Sequence, residues 1–339
     1  MPLSSSASAG HVPALPPGAV PKEQAIVVLK SPCPSRATPG ATCPPQRPVV
    51  AELEAARARV LSTTTLVDTI TAEVTPAQAR ALAASPLVSE VVPDGQVRLA
   101  PLAAPALPSQ GKFAASNKLP LRAHGVAPAS LLCGARAHPE LDPQALQAVT
   151  ANRARAMGAV GAGVTVAILA DGLHATNADL LRNAAYGRYA THVVTQYVDF
   201  TGEGTRTKTG GEEAFGDVSS IAAQANTAYN LSQYVNPAVA ALFPKSGCWV
   251  KILGTAPGAS LMVLKVIGSN DLGTDSGIVE AIQYAVQHGA KVINESFGGN
   301  PAPDTGLDVV RQADDAAVAA GVTVVVSSGD GGPTSTIGS

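Results

Sequence analysis

Residues 254–299 read GTAPGASLMVLKVIGSNDLGTDSGIVEAIQYAVQHGAKVINESFGG. Leu261–Val266 is an apolar run of the kind that a parallel strand buried on both faces requires. The next element, Ile278–Gln287, places Ile278, Ala281, Ile282, Ala285 and Val286 on one helical face. Asp275 or Ser276 is expected to cap it, and Gly289 to close it. Lys291–Asn294 then reads as another strand.

The same alternation continues on both sides of this stretch. Val164–Leu169 is a second strand buried on both faces, a helix is expected over residues 307–320 up to Gly321, and Val322–Val326 follows as a strand. Strands alternating with helices imply an α/β fold, a doubly wound parallel sheet with right-handed crossovers. Chemistry in such sheets sits beyond the carboxyl ends of the strands, which puts Asp171, Ser296–Gly298 and Ser327–Asp330 on one rim. Gly158, Gly161 and Gly163 precede their strand, whereas a dinucleotide-binding loop must follow one, so that reading fails.

Toward the N-terminus the pattern changes. Residues 1–24 are rich in Ser, Pro, Ala and Gly and read as a tail. Within 25–97, strands are expected at Ala25–Lys30, Thr65–Val74 and Leu87–Val92, with helices at Val50–Leu61 and from Thr75 to Ala84. This order fits a small α+β, ferredoxin-like module. Residues 98–145 show no sustained period and read as a linker, the natural place for a maturation cut.

Composition narrows the function. A formal net charge of -2 with no basic block argues against nucleic acid or an anionic membrane as partner. No apolar run reaches the length of about 18 residues that spans a bilayer. Among the four cysteines, Cys33 and Cys43 flank a Pro-rich insert and suit a local disulfide outside the cell, although four free thiols fit the spacing as well. The N-terminus lacks the basic start and apolar core of a signal peptide, so an exported protein would start upstream of Met1.

Several segments resemble the subtilases. Gly254–Ala259 with Leu261–Val266 is similar to "GVAPNA…AVKV", and Gly273–Gly277 with Val292–Gly299 is similar to "GTDSGI…VINMSLGG". Asp171, after the 164–169 strand, stands where the family has its first triad member. The resemblance implies a serine-type endopeptidase acting on peptide or protein substrates, with residues 146–339 as the peptidase domain. It implies that Ser296, Phe297 and Gly298 line a peptide-binding edge by strand addition. It also implies that residues 25–97 are an inhibitory propeptide, a partner within the same chain.

The catalytic histidine of the family is missing, since no His lies between His192 and His288. Alignment on Ile221-Ala222-Ala223 sets Glu213 in its place, with Asp217 one helical turn further on. A Glu-x-x-x-Asp helix is what the sedolisins, which share this fold, use instead. Two close carboxyls can keep a raised pKa and shuttle the proton of a serine. Ser327-Ser328-Gly329-Asp330 likewise has Asp where subtilases have the oxyanion-binding Asn, as sedolisins do. Asp330 donates to an oxyanion only when protonated, which implies work in acid or a strongly raised pKa.

Either Asp171 or Asp217 is the expected support for Glu213. His124 and His174 are weak rivals for the base, the first in the linker and the second in a turn. The family string Gly-Thr-Ser-x-x-x-Pro is absent, so the nucleophile is expected beyond residue 339. The alternative is an inactive peptide-binding homologue. No cofactor or metal is expected within these residues, since the calcium site of sedolisins lies near their C-terminus.

Overall fold

The computed structural model describes residues 21–34, 42–98, 133–141, 146, 148–186, 191–205, 212–234, 243–297 and 308–327. Most of the expected tail, the greater part of the linker, Gly298 and Asp330 lie outside the described residues. The chain divides into two compact units after Asp94.

The first unit runs β1 (Glu23–Leu29), α1 (Gln46–Ala55), β2 (Arg59–Thr64), β3 (Thr69–Val74), α2 (Pro76–Ala83) and β4 (Val88–Pro93). Its antiparallel sheet has the order β2-β3-β1-β4, the ferredoxin-like arrangement. Val27, Leu29, Val49, Leu53, Ile70 and Leu82 form its core. The helix expected over 50–61 ends early, because Arg57 takes φ 56° and turns the chain into β2. The single strand expected over 65–74 is the second half of a hairpin, reversed at Asp68 with φ 55°. Thr75 caps α2 as expected, in a capping box with Gln78.

The second unit begins with β5 (Gln96–Arg98) and β6 (Glu140–Leu141), followed by α3 (Ala151–Ala156), β7 (Thr165–Ala170), β8 (Val194–Asp199) and α4 (Glu212–Ala222). It continues through β9 (Gln224–Asn230), β10 (Trp249–Leu253), β11 (Ser260–Lys265), β12 (Leu272–Thr274), α5 (Asp275–Gln287), β13 (Val292–Glu295), α6 (Val309–Ala319) and β14 (Thr323–Val326). Five strands make a parallel sheet ordered β14-β13-β7-β11-β8. Connections leave β7 toward β11 and β8, and the later ones cross to β13 and β14. The crevice where the order reverses lies at the carboxyl ends of β7 and β13.

Two differences from the sequence reading concern the linker and its boundary with the 25–97 module. Residues 133–141 belong to the larger unit: Cys133 is disulfide-bonded to Cys248, and β6 pairs with β10. Gln96–Arg98 pairs antiparallel with β12 in the register Leu272 to Arg98, Gly273 to Val97 and Thr274 to Gln96. The Cys33–Cys43 disulfide also forms. Thr274, rather than Asp275 or Ser276, caps α5, its hydroxyl accepting from the Gly277 N–H at 3.2 Å. No helix among the described residues is long and apolar enough to cross a membrane.

Candidate active site

Helix α4 positions the acidic side chains. Ala214, Val218 and Ala222 recur every four residues and are fully buried against Val166, Ile168 and Leu261 of the sheet. Glu213 and Asp217 precede two of these by one residue, so both stand half-buried on the adjoining face, toward the sheet rim. Asp171 closes β7 and is 2% exposed. Its Oδ1 accepts the Ala214 N–H at 2.9 Å, so the carboxylate meets an otherwise unpaired amide in the first turn of α4. The sequence-expected trio Asp171, Glu213 and Asp217 is thus brought together.

Asp217 is held by the strand opposite. Ser296 Oγ donates to its Oδ1 at 3.1 Å and Asn294 Nδ2 to its Oδ2 at 3.3 Å, while Asn294 also donates to Ser296 Oγ at 3.1 Å. Burial pushes the Asp217 carboxyl up to about 6, and the charges of Glu213 and Asp171 add to the rise against the two hydrogen bonds. Asp217 therefore takes up a proton in weak acid, where an ordinary aspartate is fully ionised.

Two residues of this site were not read from the sequence as functional. Asn294 was visible within VINESFGG, but nothing in the string says that its amide reaches Asp217. Tyr197 on β8 accepts the Leu173 N–H at 2.9 Å, fixing the turn after Asp171. Its phenol lies above its ordinary range, chiefly through burial, with Asp171 and Asp199 contributing. Ser296 was expected to present backbone to a peptide, yet its hydroxyl is committed to Asp217. Phe297 is buried, and its carbonyl accepts from Ser327 Oγ at 3.2 Å. His174 is exposed in the turn after β7.

Residues 161–339, more than half of the chain, match the subtilase family, Peptidase_S8. The chain belongs to the subtilase family. Subtilisin DY of Bacillus licheniformis is 33% identical over 190 residues, covering 56% of this chain and 56% of the relative. Subtilisin E of Bacillus subtilis strain 168 is 28% identical over 200 residues, covering 58% and 42%. This subtilase thus spans about half the length of the curated relatives it matches. Among solved structures, fervidolysin from Fervidobacterium pennivorans, a keratinolytic enzyme related to subtilisin, superposes with a TM-score of 0.54 at 18% identity. That match covers 93% of this chain and 41% of fervidolysin, and it shows the shared fold.

Proposed function

We propose that this chain carries the proton-handling half of a secreted serine-type endopeptidase that works in acid and is made as a zymogen. The observation that carries the reading is the convergence of Asp171, Glu213 and Asp217 at the rim of β7 and β13, with Asp217 pushed up to about 6. In the proposed reaction, ionised Glu213 takes the proton of a serine hydroxyl as its Oγ attacks the scissile carbonyl carbon. Asp217 and Asp171 hold Glu213 in place, and a protonated Asp330 donates to the oxyanion. Collapse of the tetrahedral intermediate returns the proton to the leaving amine. Raised carboxyl pKa values favour this cycle below neutrality, where an Asp donor keeps its proton.

Other features support the finer points. Both cysteine pairs are disulfides, which suits an oxidising exterior. The ferredoxin-like unit and the strand addition of β5 to β12 suit an inhibitory propeptide with a peptide-binding edge just after it. Gly-Thr-Ser-x-x-x-Pro occurs nowhere in residues 1–339, so the nucleophile of the proposed reaction is not among them. The 339 residues alone are therefore expected to leave casein uncut at any pH. In a chain that also bears the serine segment, Glu213→Gln is expected to lower kcat by about 10²–10⁴-fold. Full activity of that variant with an alkaline optimum would overturn the carboxyl mechanism.

A further inference from the structure

The face of β13 turned away from Asp217 meets α6. Side chains alternate along a strand: Asn294 and Ser296 serve Asp217, whereas Glu295 points toward α6 and hydrogen-bonds Asp314. Glu295 is 2% exposed. Its Oε1 and the Oδ1 of Asp314 are closed off from water and have no hydrogen-bond partner among the described residues. Two ionised carboxylates cannot hydrogen-bond each other, since each can only accept. The contact therefore exists only while the pair holds a proton. The shared bond raises Glu295 and lowers Asp314, so Glu295 is the donor and Asp314 the acceptor.

The apolar attachment of α6 is thin. Its buried stripe is Val309, Ala313 and Ala317, and Val318 is 56% exposed. Helix α5, by contrast, buries Ile278, Val279, Ala281, Ile282 and Ala285. Apolar stabilisation scales with the area removed from water, so the carboxyl contact is a larger share of what holds α6. The charged groups around the pair are mostly acids. Helix α5 contributes Asp275, whose Oδ2 accepts the Gly95 N–H at 3.1 Å, and α6 itself contributes Asp308, Arg311 and Asp315. Arg311 pairs with Asp315 at 3.7 Å. Neither β7 (TVAILA) nor β14 (TVVV) carries an ionisable side chain. Buried charge is compensated elsewhere in this fold: Lys265, 0% exposed, is met by Glu203 at 2.9 Å and by Asp199 at 3.9 Å. An ionised Glu295–Asp314 pair would instead set two like charges side by side away from water.

We propose that the proton shared by Glu295 and Asp314 is a latch between β13 and α6, which holds in acid and releases the helix as the solution turns alkaline. Burial, and then the neighbouring carboxyl, push Glu295 up. Burial also pushes Asp314 up, and Asp308 and Asp315 add to the rise against the hydrogen bond from Glu295. The docked state thus binds more protons than an open one, in which both groups return to the ordinary carboxyl range. Docking is fully favoured below that range and weakens as pH rises through the raised values. The strand that carries Glu295 also carries Asn294 and Ser296, so the latch sets an alkaline limit on the Asp217 site from behind it. It requires neither substrate nor turnover, and it does not rest on the peptidase reading.

Amide hydrogen exchange of the full chain at about pH 5 and about pH 9, corrected for the intrinsic rates, reads the latch directly. Protection of the α6 amides relative to those of α5 is expected to fall by about tenfold or more between the two, because each proton held by the docked state alone changes the opening equilibrium about tenfold per pH unit. Glu295→Gln/Asp314→Asn keeps a hydrogen-bonding pair of the same shape that cannot ionise, and is expected to make that ratio independent of pH. Should the double variant fail to fold, Glu295→Gln alone serves: its amide donates to Asp314 without a proton to lose, and most of the fall is expected to disappear. A ratio that is the same at both pH values in the parent chain, or a fall that persists in these variants, overturns the proposal.

Discussion

The two faces of β13 carry two carboxyl pairs. On one face, Asp217 sits a helical turn from Glu213 and receives hydrogen bonds from Asn294 and Ser296. On the other, one residue away, Glu295 meets Asp314 with a bare oxygen left on each side chain. Burial raises the acids of both sites; Asp217 receives two hydrogen bonds that favour its ionised form, whereas Glu295 and Asp314 hydrogen-bond each other. The carboxylate with outside donors is tuned to a weakly acidic range, and the pair that shares its hydrogen bond keeps a proton to higher pH. The contrast shows that burial sets the direction of the pKa shift at both sites, while nearby donors decide how far it goes.

The sharpest way to break this comparison is to make both sites apolar. Glu295→Met with Asp314→Leu removes two desolvated acids without stranding a donor. It is expected to stabilise the fold by about 1–4 kcal/mol near pH 8, and by less near pH 5. Asp217→Leu removes the acceptor of Asn294 and Ser296 instead, and is expected to cost about 1–3 kcal/mol. Urea unfolding of the two variants should give changes of opposite sign, and equal signs would erase the distinction.

A smaller effect concerns pH. The folded-state pKa of Asp217 is raised, so its contribution to stability is fully present below its ordinary value of 3.8 and is lost as pH rises through about 6. Asp217→Asn keeps an acceptor for Asn294 but cannot ionise. It is expected to flatten the dependence of Tm on pH between about pH 4 and pH 7. An unchanged slope would mean that Asp217 titrates as an ordinary aspartate.

The face that was legible in the sequence is the one built from local periodicity. Glu213 and Asp217 lie four apart on a helix, and Asp171 directly follows an apolar run. Glu295 and Asp314 are joined only by the packing of α6 against β13, and no spacing announces that meeting. Strands followed the same division. The apolar runs at β7, β11 and β14 were readable within a residue or two at either end. By contrast, β2 (RVLSTT) and β9 (QANTAYN) are rich in polar residues and owe their conformation to their partners, β3 and β10. The short β5 owes its pairing to a glycine that fits beside Asp275.

The bond from Asp171 to the amide of Ala214 has one more consequence. It fastens the end of β7 to the head of α4 through the backbone, without depending on which side chain occupies position 213. The proposed base, Glu213, can therefore be exchanged while the joint beneath it is kept, so the proposed carboxyl-driven proton transfer can be compared with a histidine-driven one on the same frame. For a designer, position 213 is a socket, and Glu213→His is the first substitution to try for moving the working range toward neutral pH.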